Sequence, residues 1–396
     1  MKKPSSVIIS TTCFSFLLAS PMAQAINFFD PIDGQLDMGE YLAENAYGFL
    51  PVPIVITEPA VGYGLGFTGM FLHESDEQRE KRRKLAETSL DGGAQLLTPA
   101  ITAIGGFATE NGTWMGFLGH RRTWAQDTVR YLGGVGYGDF NMTFYPQSTL
   151  PGLDSVFNGK GLDFEITGGG MLNHLQYRII DVPLFIGVKQ LYFVTDQKIT
   201  NSPIADKLLQ TLTNTSPTTS GLGLTLEWDS RNNFFSPTQG YNYKAEYLWY
   251  NDAIGSDYEY EQLDVEGINY WELADRWSLA LRGQYKSLYT DERFLPPASY
   301  PDIELRGVAR NRYQGDETLS VESQLTYQWN TRWSTNVFGG FGYASTEASL
   351  FENNAEYAYG VGFRYLIARR YGLQAGMDFA FSDEDSAAYF QVGSGI

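Results

Sequence analysis

Apolar and polar positions alternate with a period of two along most of the chain, in runs of ten residues or more. In YGLQAGMDFAF (371–381), Leu373, Ala375, Met377, Phe379 and Phe381 share one face, and Gln374, Gly376, Asp378 and Ala380 the other. In TLSVESQLTYQW (318–329), Leu319, Val321, Leu325, Tyr327 and Trp329 oppose Ser320, Glu322, Gln324, Thr326 and Gln328, with Ser323 interrupting the apolar face. In YNYKAEYLWY (241–250), Tyr241, Tyr243, Tyr247 and Trp249 oppose Asn242, Lys244 and Glu246. A period of two belongs to a β-strand whose two faces meet different surroundings. About ten tilted residues cross a hydrocarbon core. Aromatic residues at the ends of the apolar faces point to lipid rather than to the interior of a soluble sandwich, where residue sizes vary to interdigitate.

Runs of this kind fall at 50–57, 60–73, 98–109, 112–123, 128–144, 161–178, 183–196, 218–229, 239–252, 257–272, 276–289, 318–330, 332–345, 354–367, 371–382 and 387–396. The sequence therefore predicts an all-β fold, a transmembrane antiparallel β-barrel of about sixteen strands, an even number as bacterial outer-membrane barrels require. With the first strand starting in the periplasm, the long links 145–160, 197–217 and 290–317 fall outside the cell. The short links WAQD, IIDVP, LADR and NTR fall inside. One inner link, 74–97, is long and highly charged. It reads either as a solvated loop or as a short helix with Glu and Lys/Arg paired at i,i+4.

Three segments precede or make up the barrel. Residues 1–25 start with Lys2 and Lys3, continue in an apolar run from Val7 to Ala19 and end in Ala23 and Ala25 at A-x-A spacing. That is the grammar of a secretory signal peptide, and the run is too short to span a bilayer. The single cysteine, Cys13, lies within it, so the mature chain is expected to hold no disulfide, thiol nucleophile or cysteine metal site. Residues 26–49 read as a periplasmic segment with a short helix. Asp37 is its N-cap with Glu40 three residues on, Leu36 is placed to staple onto Tyr41, and Met38, Tyr41, Leu42 and Ala46 share a face that ends at Gly48. Such a helix, about 15 Å long, could plug the barrel mouth or lie at the interface. Acidic residues around Gly34 partly match a calcium loop, but Phe29 and Pro31 occupy ligand positions, and no metal is expected. Residues 50–396 form the barrel.

Composition fits this picture. The 396 residues include 26 Tyr, 25 Phe, 8 Trp and 42 Gly, as the aromatic girdles and tight turns of such barrels require. The net charge is −18, which argues against nucleic acid as a partner. Against that acidity, IELRGVARNRYQGD (303–316) sets Arg306, Arg310 and Arg312 within seven residues. Parity turns Asp378, Glu322, Glu246, Glu227 and Asp229 inward, together with Arg282, Lys286 and Arg364. Charges in a narrow lumen must be paired, because unpaired burial costs several kcal/mol. An acidic wall would thus hold this basic loop; the alternative is an exposed loop that binds lipopolysaccharide. The three histidines, His73, His120 and His174, stand in no recognisable hydrolase or metalloprotease motif. Neither catalysis nor a cofactor is expected.

Three motifs carry a resemblance. LEWDSRNNFFSPTQGYNYKAEY (226–247) resembles the strand–turn–strand signature of the BamA/TamA outer-membrane superfamily (bacterial surface antigen type), with Asp229, Arg231, Pro237 and Gly240 in its periplasmic turn pattern. LRGVARNRYQGD resembles the Val-Arg-Gly-Tyr/Phe motif of the long sixth extracellular loop, with Arg306 and Gly307 in place and Val308 where an aromatic is usual. GVGFRYLIARRYGLQAGMDFAF resembles the closing strands, with Asp378 at the inward acidic position, although the chain ends in Ile396 rather than an aromatic. The resemblance implies that loop six folds into the lumen and that Arg306 and Gly307 lock onto Asp378 and Glu322. It implies the outer membrane as location, with its lipids and lipopolysaccharide, and periplasmic or outer-membrane proteins, as partners. About 25 residues between leader and first strand are too few for a POTRA domain, which takes about 50, so the likeness is to a short branch lacking such domains. The implied function is outer-membrane protein or lipid assembly or translocation through a lateral seam. Pro51 and Pro53 in the first strand and the glycines of AAYFQVGSGI in the last favour a weak seam. A passive channel or structural barrel is the alternative, with an outer-membrane lipid-modifying enzyme behind both.

Overall fold

The strands run β1 (Phe49–Ile56), β2 (Gly64–His73), β3 (Ala100–Thr109), β4 (Trp114–Trp124), β5 (Val129–Phe144), β6 (Leu162–Arg178), β7 (Leu184–Ile199) and β8 (Thr218–Asp229). They continue as β9 (Gly240–Tyr250), β10 (Tyr260–Ala274), β11 (Trp277–Tyr289), β12 (Glu317–Gln328), β13 (Trp333–Ser345), β14 (Glu356–Ala368), β15 (Leu373–Ser382) and β16 (Ser386–Val392). The computed structural model describes residues 28–39, 41, 49–58, 60–88, 99–145, 161–212, 216–292, 295–346 and 350–396. The expected signal peptide lies outside the described residues, as do Glu40, Leu42, Ala46 and Gly48 of the expected helix.

Each strand is hydrogen-bonded to the next in chain order, all antiparallel, to make one sixteen-stranded sheet. Its faces are inverted relative to a soluble protein. On β12 Thr318, Ser320, Glu322 and Gln324 are buried. On the outside of the neighbouring strands Val337, Tyr359 and Val361 are more than half exposed, at 53, 64 and 51%. Apolar rings face outward and polar side chains crowd inward, as in a barrel whose outer solvent is lipid.

The sheet curls until β1 and β16 face each other, and no ladder joins them among the described residues. Ala388 N–H donates to Thr57 Oγ1 at 3.0 Å, and the Thr57 hydroxyl donates back to the Ala388 carbonyl. The last strand stops at Val392, short of the expected 396. Gly393 and Gly395 adopt φ of +112° and +83°, which turns the chain out of the ladder and sets Ile396 against Ile268, Tyr270 and Ala280 of the inner wall.

Of the two readings of 74–97, the helix is the one formed: α1 spans Asp76–Thr88, with Glu80 3.0 Å from Arg83 and 3.5 Å from Lys84. A second helix that the alternation did not show, α2 (Pro203–Leu212), rides on the long-loop end. Its Ala205, Leu208 and Leu209 pack on Phe144, Leu162, Phe164 and Ile199. Before β1, Asp37 accepts the Gly39 N–H at 2.5 Å, as a cap does. The expected staple is replaced: Tyr41 stacks on Phe28 at 5.6 Å, while Leu36 bridges to Phe29.

Candidate functional site

The link between β11 and β12 folds back into the lumen rather than outward. Ile303, Leu305 and Val308 are buried together with Ala358 of β14, so the valine at 308 fills its place as part of an apolar anchor. That anchor delivers Arg306 to the inner wall. Its Nη2 donates to Glu322 Oε1 at 2.7 Å, and its Nη1 to Asp378 Oδ2 at 2.8 Å and Gln324 Oε1 at 2.9 Å. Its guanidinium lies 3.6 Å from the centre of the Phe338 ring. Asp378 is fully buried and is also gripped by Arg364, with two contacts of 2.7 Å. Gly307 has φ of +97°, and a Cβ there would stand 3.0 Å from the Phe381 nitrogen. Glycine alone lets the backbone approach so closely. Its N–H donates to Tyr389 Oη at 3.1 Å, and its carbonyl accepts from Ser382 Oγ at 2.8 Å.

The other two arginines have carboxylates of their own. Arg310 lies 2.8 Å from Glu304 and 3.5 Å from Asp302, and its N–H donates to Glu58 on the β1–β2 link at 3.0 Å. Arg312 reaches Asp385 and Glu384 at 3.3 and 3.0 Å. Burial raises the Glu304 carboxyl, but Arg310 and Lys286 pull it down to about 2. The basic stretch is thus matched, cation by cation, to acidic groups of loop and wall.

The turn between β8 and β9 forms a second set. Asp229 holds Arg231 through two contacts of 2.8 and 3.1 Å and also accepts from Arg130 at 3.1 Å. Pro237 is buried. Gly240 takes φ of +95°, where a Cβ would strike the Ser230 carbonyl at 2.2 Å. The turn reaches across the short-turn mouth: Ser236 Oγ donates to the Gly372 carbonyl at 2.7 Å. Phe235 packs on a cluster that joins Leu50, Leu72 and Ile101 to Ala368, Tyr371 and Leu373. Loop six reaches the wall from β11 round to β16 and the β1–β2 link, while the turn meets β5 and the mouth.

A third set escaped the sequence reading. Arg332, in the β12–β13 link, has a fully buried side chain ringed by Asp30, Asp33 and Asp37 at 2.7, 2.6 and 2.5 Å. Arg369, between β14 and β15, adds 2.7 Å to Asp30, and its N–H donates to Asp37 at 2.9 Å. The acidic residues that partly matched a calcium loop hold guanidinium groups instead. The available signal was an acidic segment before the barrel set against arginines in two inner turns. Burial works against ionisation of Asp30 and Asp33, but hydrogen bonds from Arg369 to the first and Arg332 to the second win, and both carboxyls fall below the usual range.

An inside-out sixteen-stranded barrel with a long loop tucked into its lumen is an outer-membrane β-barrel. The Omp85 superfamily domain matches residues 172–299 of the chain. Its fold is similar to BamA from Haemophilus ducreyi lacking POTRA domains 1–3, at 12% identity and TM-score 0.54, over 86% of this chain and 68% of that one. It is similar to CdiB from Escherichia coli at 10% identity and TM-score 0.55, over 86% and 61% of the two chains. For CdiB from Acinetobacter baumannii the values are 10%, 0.50, 87% and 58%. The chain therefore spans about three-fifths of either CdiB chain. No curated protein matches by sequence.

Proposed function

We propose that this barrel inserts or translocates protein or lipid at the outer membrane by parting β1 from β16, with Arg306, Gly307, Glu322 and Asp378 holding loop six as an internal lock. The observation that carries the reading is a contrast within one wall. Loop six folds into the lumen against the inner wall and the 230–239 turn reaches across the mouth, while among the described residues the β1–β16 edge is joined through Thr57 and Ala388 in place of a ladder. Pro51 and Pro53 of β1 have no N–H to contribute to pairing. A path through the wall is then easier to open than a path down the axis. The similarity to BamA and CdiB barrels supports a client-handling role over a passive pore.

Cysteines at Thr57 and Ala388 test this. Oxidation is expected to leave the protein folded, heat-modifiable and in the membrane, while strand insertion into liposomes falls to background and reductant restores it. Undiminished activity of the bridged barrel, or a steady bilayer conductance unaffected by the bridge, would sink the seam mechanism in favour of a channel.

A further inference from the structure

Between β4 and β9, towards the short-turn mouth, the inner wall encloses a cavity of about 460 Å³. Five cationic side chains line it: Arg121, Arg130, Lys189, Arg231 and Lys244. Four of them are matched. Arg130 holds Asp127 and Asp229 at 2.5 and 3.1 Å, and Arg231 holds Asp229 at 2.8 Å. Lys189 pairs with Glu246, and Lys244 lies 3.7 Å from Glu266. The remaining carboxylate, Glu227, is taken up by Gln176 and Asn242 at 2.6 and 2.7 Å and stands 4.0 Å from Arg130.

Arg121 is different. Among the described residues it forms no ion pair, and its Nη1 is buried without a hydrogen-bond partner. Its cross-strand neighbours are Ile101 and Leu132, and its guanidinium lies 4.2 Å from the centre of the Phe234 ring. A guanidinium with a buried, unused donor, beside four other cations, is a favourable arrangement for an anion. We propose that the cavity binds an oxyanion of the phosphate class, with Arg121 as its principal ligand. The planar fork of arginine suits two oxygens of a tetrahedral anion. Thr225 and His174 on the facing wall, 2.8 Å apart, offer further polar groups around the same space. The anion arrives either as a free solute through the mouth or as the headgroup of a lipid.

The test uses the full-length barrel in neutral detergent, at ionic strength held constant with chloride. Inorganic phosphate is expected to raise the unfolding temperature saturably, as a ligand of the native state must, and to show broadened ³¹P resonances. Arg121→Gln should remain folded, since it removes an unmatched cation, and should bind phosphate at least tenfold more weakly. Arg121→Lys, which keeps the charge but not the fork, should bind several-fold more weakly and serves the same comparison if the glutamine variant does not fold. Arg122→Gln should bind normally, because that side chain lies over Trp124, 5.3 Å from its ring centre. Dihexanoyl phosphatidic acid forms the second arm: saturable binding of this lipid alone assigns the anion to a headgroup, and binding of both probes to the phosphate itself. No saturable response to either probe, or an undiminished response in both Arg121 variants, overturns the site.

Discussion

Asp378→Ala is expected to lower the temperature at which the compact, heat-modifiable band is lost by more than Arg306→Ala does. Asp378 is fully buried and accepts from two guanidinium groups, Arg364 and Arg306. Removing it strands both, and breaking a buried pair from one side costs about 3–5 kcal/mol. Arg306→Ala is milder, because Asp378 keeps Arg364 while Glu322 alone loses its cation. The double mutant should fall short of the sum, with a coupling of about 0.5–3 kcal/mol as for residues in one network. Band-shift temperatures for the two singles and the double check this. Additive losses would separate the two residues energetically and remove Asp378 from the proposed lock.

Arg332→Ala is expected to release the segment before β1 while the strands stay paired. The Arg332 side chain is fully buried and has Asp30, Asp33 and Asp37 around it within 2.7 Å. Its loss removes the cation shared by three acidic side chains and leaves Arg369 on Asp30 and Asp37, again at a cost of about 3–5 kcal/mol. That segment precedes β1 in the chain and is fastened to the turns before β13 and before β15. Chymotrypsin should cut the variant at Phe28, Phe29 or Leu36 many times faster than the parent, with the barrel intact. Equal cleavage rates would deny the arginine this role. The same contacts set a pH dependence. Asp30 and Asp33 have carboxyls below their ordinary 3.8 in the folded protein. Their contribution is therefore complete above 3.8 and is lost as pH falls through the lowered values. The protection of the Met38 amide against exchange, corrected for the intrinsic pH dependence of exchange, should fall below that pH and stay flat above it; its N–H donates to the Ile367 carbonyl at 2.6 Å.

Alternation by itself determined the strands and their faces, because a period of two is local: it needs neither partner nor register to be read. It set β5 (Val129–Phe144) and β6 (Leu162–Arg178) within a residue of where they lie. It turned Asp378, Glu322, Glu227 and Asp229 inward, because every second side chain shares a face. Glycines with a required positive φ, Gly240 and Gly307, were legible as motif positions. The tertiary structure decided which charge meets which. Arg306 pairs with Glu322 and Asp378 at separations of 16 and 72 residues, and Arg332 with Asp30 at 302. Those meetings depend on how far the sheet curls and where loop six and the first segment come to rest, neither of which has a local period. Parity could place Arg121 inward, but only the assembled wall reveals that, among the described residues, the carboxylates lining its cavity are already engaged. The open edge is of the same kind: Pro51 and Pro53 hint at a poor pairing strand, while the missing ladder is a property of two strand ends brought together from opposite ends of the chain.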